Sequence, residues 1–256
     1  MPVVLVEKQN AHTTVITLNR PERRNSLTIE LMQELTDAVD AVGDDDTQRI
    51  LILRGAGKAF CTGLDLQEVS KHERAHESAG LVAKMLLAIS QTRLITIAAV
   101  HGAAVAGGAG IMSACDFVIA AERTKFGYPE ARRGLIAAAV MTFLRRQLRE
   151  RDIRELLLTG ELIEADRALA MGLVNRVVPA DELDSEVQKL CASILQNAPG
   201  ALSQAKRMLE QLWAKSVKED IEMALGHHMQ ARESAEAREG VAAFLEKRPP
   251  AWAIAE

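Results

Sequence analysis

Between Val100 and Asp116 the chain reads VHGAAVAGGAGIMSACD, and this run constrains the fold more than any other. It follows an apolar, β-branched stretch, Leu94–Val100, that reads as a strand. The segment from Leu94 to Cys115 carries no Lys, Arg, Asp or Glu and is long enough to cross a bilayer. It also holds His101 and four glycines, and its first part has strand character, so it reads as buried core. Small residues at this density let backbone approach backbone or ligand closely. A Gly107-Gly108 pair opening a helix leaves free N–H groups aimed at an oxygen. The alternative for this run is a tightly packed helix start with no ligand.

The elements around it alternate. Val3–Glu7 and Thr13–Leu18 read as strands about a polar turn, and the loop Asn19–Asn25 contains Pro21, which no central strand accommodates. Thr28 is a candidate N-cap for a helix over Ile29–Val42, with Leu31, Leu35, Ala38 and Val42 on one side. Ile50–Leu53 and Phe117–Ala120 read as buried strands, Gly108–Ala114 as a short buried helix, and Leu81–Ile89 as a helix on the core. Cys61–Leu66 reads as a turn and Gln67–Ser78 as a mobile polar segment shaping a pocket. Beyond Val140 the pattern is helical: Met141–Leu148, Arg151–Thr159, Ala165–Met171, Glu182–Gln196, Gly200–Leu212, Val217–Arg232 and Ala235–Glu246. Gly160 and Gly172 read as helix stops, and Leu173–Val178 as a last short strand. The order predicts an α/β fold with repeated βαβ-like units.

Bulk properties exclude several functions. A chain of 256 residues buries a full core as one large domain, or as a domain plus an appendage. Its formal net charge of -4 gives no support for nucleic acid or an anionic membrane as the main partner. The basic run Arg145–Arg154 interleaves Glu150 and Asp152 and reads as a solvated helix face. Three cysteines without paired spacing, and no apparent signal peptide, predict a reduced, cytoplasmic setting. No CxxC or HExxH pattern is present and His227-His228 alone is weak, so no metal site is expected. GGAG lacks the G-K-[ST] of a P-loop, and GxGxxG is absent.

Three ordered motifs carry a resemblance: Lys58-Ala59-Phe60-Cys61-Thr62-Gly63-Leu64-Asp65-Leu66, the run HGAAVAGGAG, and Phe126-Gly127-Tyr128-Pro129-Glu130. Together they resemble the crotonase superfamily, the enoyl-CoA hydratase/isomerase family, from Leu18-Asn19-Arg20-Pro21 to Glu246-Lys247-Arg248-Pro249-Pro250. The wider match is to a bacterial enoyl-CoA hydratase-like subgroup. The resemblance implies a ββα spiral core over residues 1–195, holding an acyl-CoA site. It also implies a C-terminal helical region over 196–256 that makes a homotrimer or a dimer of trimers. The substrate implied is an acyl-CoA thioester, with no cofactor beyond the coenzyme A of the substrate itself.

By the same resemblance, the backbone N–H groups of Leu64 and Gly107 form an oxyanion hole and Glu130 is the acid/base group. Gly107 is expected to be glycine because a Cβ there would crowd the thioester. Arg23 and Arg24 are expected near the CoA phosphates, Thr62, Gly63 and Gly108 along the pantetheine and thioester, and Phe244 and Lys247 at the adenine, often from a neighbouring subunit. Tyr128, the only tyrosine, is a candidate substrate contact or a packing residue. Asp65 is read as tying down its own loop, and Asp116 as anchoring backbone beside Cys115.

One position departs from the pattern. Hydratases of the well-known kind carry a second glutamate three residues beyond the oxyanion glycine; here that position is Gly110. A single carboxylate suits hydration of a trans-2-enoyl-CoA, and equally Δ3,Δ2-enoyl-CoA isomerisation, with hydration the preferred expectation. Hydrolase and decarboxylase variants share the oxyanion site, and a non-catalytic CoA-ester-binding protein of the same fold is the rival outside enzymes.

Overall fold

The computed structural model of the chain describes residues 2–69 and 72–253. Strand β1 (Val4–Asn10) turns back antiparallel onto β2 (Thr13–Leu18). Helix α1 (Ile29–Asp44) follows, and Thr28 Oγ1 accepts the Leu31 N–H at its start. Such a cap stabilises the helix by about 1 kcal/mol. Then come β3 (Ile50–Gly55), α2 (Leu66–Val69), α3 (His72–Gln91) and β4 (Ile95–Val100). The glycine-alanine run forms β5 (Ala103–Val105) and α4 (Gly107–Ser113). Strands β6 (Phe117–Ala121) and β7 (Lys125–Gly127) precede a 3-10 turn at Pro129–Arg133.

Helices α5 (Ala138–Gln147) and α6 (Glu150–Thr159), strand β8 (Ile163–Glu164), helix α7 (Ala165–Met171) and strand β9 (Arg176–Val178) continue the chain. Four helices end it: α8 (Leu183–Leu195), α9 (Pro199–Gln211), α10 (Val217–Arg232) and α11 (Ala235–Leu245).

The main sheet runs β1-β2-β3-β4-β6-β9 and is parallel from β2 onward. Its central strands are buried along their length because both faces are covered. The period-two alternation divides them. Leu51, Leu53, Ala98, Val100, Val118 and Ala120 join the core shared with α1, α3 and α4. Ile50, Ile52, Ile97, Ala99 and Ile119 face Leu183, Val187, Leu190 and Ile194 of α8. A second sheet, β5-β7-β8, carries the glycine-rich run beside the loop of Cys61, which bridges to Ala104. No described helix is long and apolar enough to cross a membrane, and the Leu94–Cys115 run is β4, β5 and α4.

Three expectations need correction. Residues 72–78, expected as mobile and polar, begin the long helix α3; Ser70 and Lys71 lie outside the described residues. The run Arg145–Arg154 is not one solvated face. It is split between α5 and α6, and the Arg146 side chain is only 11% exposed, paired at 2.9 Å with Asp220 and stacked over the Trp213 ring. Leu173–Val178 is shorter as a strand, starting at Arg176. Asp65 and Asp116 behave as expected. The first meets Arg20 and Ser26, and the second accepts the Thr96 N–H and an ion pair from Lys206 at 2.7 Å.

Candidate active site

Two loops meet over a cavity of about 770 Å³, within the usual range for a small-molecule site. The first loop is held by Leu27, whose N–H donates to the Gly63 carbonyl and whose carbonyl accepts the Asp65 N–H. Clamping residues 63 and 65 in this way leaves the Leu64 N–H facing outward. The second loop enters α4 through Ala106, which has φ 52° and ψ −126°. A non-glycine residue in that conformation stores roughly 1–3 kcal/mol and persists only where its surroundings enforce it. It leads into α4 at Gly107, which lines the cavity. Neither the Leu64 nor the Gly107 N–H donates to any group among the described residues.

Glycines set the spacing of these loops. Gly63 has φ +84°, and a Cβ on it would lie 2.8 Å from the Ala106 Cβ and 3.2 Å from the Gly107 nitrogen. A Cβ on Gly108 would lie 2.2 Å from the Cys61 carbonyl oxygen. Gly63 and Gly108 therefore let the two loops pack closely against each other. At Gly107 a Cβ would meet Leu27 Cδ1 at 3.0 Å, so the glycine also serves the contact between the loops.

Glu130 lines the same cavity as Leu64 and Gly107. Pro129 starts the 3-10 turn that carries it. Its Oε2 is buried with no hydrogen-bond partner. Desolvation pushes its pKa up to about 7, against smaller opposing pulls from its own backbone N–H and then from Arg133. The result is a carboxyl group poised to exchange a proton near neutrality through its unpartnered Oε2.

Tyr128 faces the other way. It is 1% exposed, its hydroxyl lies 3.1 Å from Ser113 Oγ, and it packs in the core, so it is a packing residue and not a substrate contact. Arg23, Arg24 and Thr62 stand on the cavity wall, with both arginines exposed at its rim. Thr62 Oγ1 donates to the Arg24 carbonyl at 3.3 Å, linking the two loops. Phe244 and Lys247 also line the cavity, supplied by this same chain rather than a neighbour. The Arg133 guanidinium lies 4.3 Å from the Phe244 ring centroid and joins the turn of Glu130 to α11.

Sequence reasoning did not find two residues that shape the apolar end. The space of a side chain at position 110 belongs to Val140, whose Cγ2 would stand 2.9 Å from a Gly110 Cβ. His228, from α10, lines the cavity with its Nδ1 3.2 Å from the Ile136 carbonyl oxygen. Val140 lies thirty residues from Gly110, so no local pattern signals the pair. His227-His228 carried a signal, but only the fold shows which of the two faces inward.

The enoyl-CoA hydratase/isomerase family model matches residues 8–254. The chain belongs to that family. A Thermus thermophilus protein with a provisional enoyl-CoA hydratase name is 37% identical over 96% of this chain and 99% of its own length. The crotonyl-CoA hydratase of Syntrophomonas wolfei is 35% identical over 96% of this chain and 95% of its own. The crystal structure of an enoyl-CoA hydratase from Mycobacterium avium superposes with a TM-score of 0.87 at 31% identity, covering 98% of this chain and 99% of the other. The family's crotonase fold is thus the fold of this chain, as the motifs around Leu64, Gly107 and Glu130 implied.

Proposed function

We propose that the chain hydrates trans-2-enoyl-CoA thioesters, with the Leu64 and Gly107 N–H groups as oxyanion donors and Glu130 as the only side-chain acid/base. The observation that carries this reading is the buried, unpartnered Oε2 of Glu130 on the cavity that those two free amides share. In the reaction the Glu130 carboxylate takes a proton from water while the water oxygen bonds to Cβ. The π electrons move through Cα to the thioester oxygen, and the enolate oxygen accepts the two N–H groups. These donors act most strongly where charge develops, which is what lowers the barrier. Glu130 then returns its proton to Cα, the enolate collapses, and 3-hydroxyacyl-CoA leaves with the carboxylate restored. No cofactor enters this balance. Exposed Arg23, Arg24 and Lys247 at the cavity rim suit the phosphates of CoA.

One observation favours a second reading. Val140 occupies the room a second carboxylate would need, so water has one fewer group to hold it. Δ3,Δ2-enoyl-CoA isomerisation needs no water: Glu130 removes a proton from C2 and returns it to C4 through the same enolate. Names of relatives 35–37% identical over nearly the full chain weigh toward hydration.

We also propose, in line with the family, that residues 196–256 join copies of the chain into a trimer or a dimer of trimers. Helix α9 buries none of its residues in the single chain, and Met208, Leu209, Leu212 and Trp213 are exposed together. A cytoplasmic setting follows from the proposed substrate and three free, buried cysteines.

The test is turnover of crotonyl-CoA and trans-3-hexenoyl-CoA side by side, on wild type and Glu130→Gln. Loss of conjugated enoyl absorbance with crotonyl-CoA, abolished in the variant, is the expected result. Gain of that absorbance with the 3-enoyl ester alone makes the enzyme an isomerase. Turnover that survives Glu130→Gln overturns both readings.

A further inference from the structure

The apolar half of the cavity contains one polar ring that the chemistry above does not use. Leu225 and His228 lie three residues apart on α10 and line the cavity together. Helix α10 packs on α3 and α5, and Ala79 and Val82 of α3 and Ala138 of α5 line the same cavity. His228 is half-buried, with the Arg232 guanidinium near enough to act on the ring.

Its hydrogen bonding fixes what it offers. Nδ1 meets the Ile136 carbonyl oxygen, and a carbonyl only accepts, so Nδ1 carries the hydrogen. Nε2 then presents a lone pair. It has no hydrogen-bond partner among the described residues. Desolvation holds the pKa of the ring below its ordinary value, which keeps this neutral tautomer in place near pH 7. A plain alkyl chain entering the chamber displaces water from Nε2 and gives nothing back. An acyl group with a hydroxyl donor at that depth restores the bond. Sites that hydrogen-bond a substrate hydroxyl discriminate against analogues lacking it for this reason.

We propose that His228 makes the acyl chamber selective for acyl groups bearing a hydroxyl distal to the reacting carbons. This rests on the reading of the cavity as an acyl-CoA site, and the test separates the two. Calorimetry would measure binding of saturated butyryl-, hexanoyl- and octanoyl-CoA against their ω-hydroxy counterparts, on wild type, His228→Leu and His228→Gln. At one chain length the hydroxy ester is expected to bind wild type about tenfold more tightly, the effect of one net hydrogen bond. His228→Leu is expected to erase that preference while binding the alkyl ester at least as well. His228→Gln, whose amide oxygen still accepts, is expected to keep part of it. Equal affinity for both series in wild type, or equal weakening of both in His228→Leu, overturns the role of His228 and leaves the acyl-CoA site standing. Failure of every ester to bind wild type overturns the acyl-CoA reading, and this inference with it.

Discussion

Placing a glutamate at position 110 is the obvious way to give this chain the second carboxylate it lacks, and the structure predicts that the change alone fails. A Cβ at Gly110 would stand 2.9 Å from Val140 Cγ2 and within 3.7–3.8 Å of both Leu86 methyls. Leu86 is fully buried and Val140 is 4% exposed. Val140 is β-branched and sits on α5, so its side chain has little rotamer freedom with which to yield. Overpacking of this kind costs about 1–3 kcal/mol, and enclosing a carboxylic acid among aliphatic neighbours adds to it. A total of about 3 kcal/mol corresponds, in a chain of this size, to a fall in Tm of roughly 6–12 °C. Gly110→Glu is therefore expected to melt lower by that amount, with no gain in crotonyl-CoA hydration. Combining it with Val140→Ala removes the clashing methyl and is expected to recover at least about 1 kcal/mol relative to the sum of the single changes. Thermal melts followed by circular dichroism, with initial hydration rates on the same preparations, check both statements. A Gly110→Glu protein that melts with wild type and hydrates faster would refute the argument that Val140 fills this space.

The remaining predictions concern the same site and its support. Glu130 has its folded pKa raised to about 7, above its unfolded value, so the folded chain binds the extra proton. Stability contributed by this group is present at acid pH and is lost as pH rises toward 7; melts of wild type against Glu130→Gln across pH 4.5–8 should show the slope in wild type alone. Turnover that needs the carboxylate should rise with pH through an apparent pKa near 7, read from a kcat/KM profile. Gly63→Ala forces a Cβ against Ala106 and the Gly107 nitrogen at φ +84°, and a displaced amide donor should lower kcat by roughly 10²–10³ with a much smaller change in KM. Arg146→Ala leaves Asp220 part-buried and unpaired and uncovers the Trp213 ring. A loss of about 2–3 kcal/mol in denaturant melts, with kcat unchanged, is the expected signature.

The parts of this fold legible in the sequence are those fixed by local or periodic signals. The buried strands β2, β3 and β4 are apolar runs because both sheet faces are covered, and Thr28 starts α1 by an ordinary cap. Helices α7 and α10 have the expected bounds. Strands β5, β7 and β8 span two or three residues, too few for any period to emerge, and they form only because the Cys61 loop and β5 pair across forty residues. The start of α3 was hidden by a polar stretch without clear helical period. At the site, the motifs around Leu64, Gly107 and Glu130 pointed to residues that the fold brings onto one cavity. The inward turn of Tyr128, the plug of Val140 and the placement of His228 depend on contacts between distant helices, which no spacing in the chain encodes.

The cavity takes its reacting groups and its chamber wall from different parts of the chain. Leu64, Gly107 and Glu130 come from loops braced by the sheets, whereas Leu225, His228, Phe244 and Lys247 come from the last two helices and the turn that follows. On the proposed reaction, changes at these C-terminal wall residues leave the oxyanion and acid/base groups in place, although α3 and α5 also contribute to the wall. Sequence drift confined to α10 and α11 would redirect such an enzyme to new esters while its reaction stayed the same.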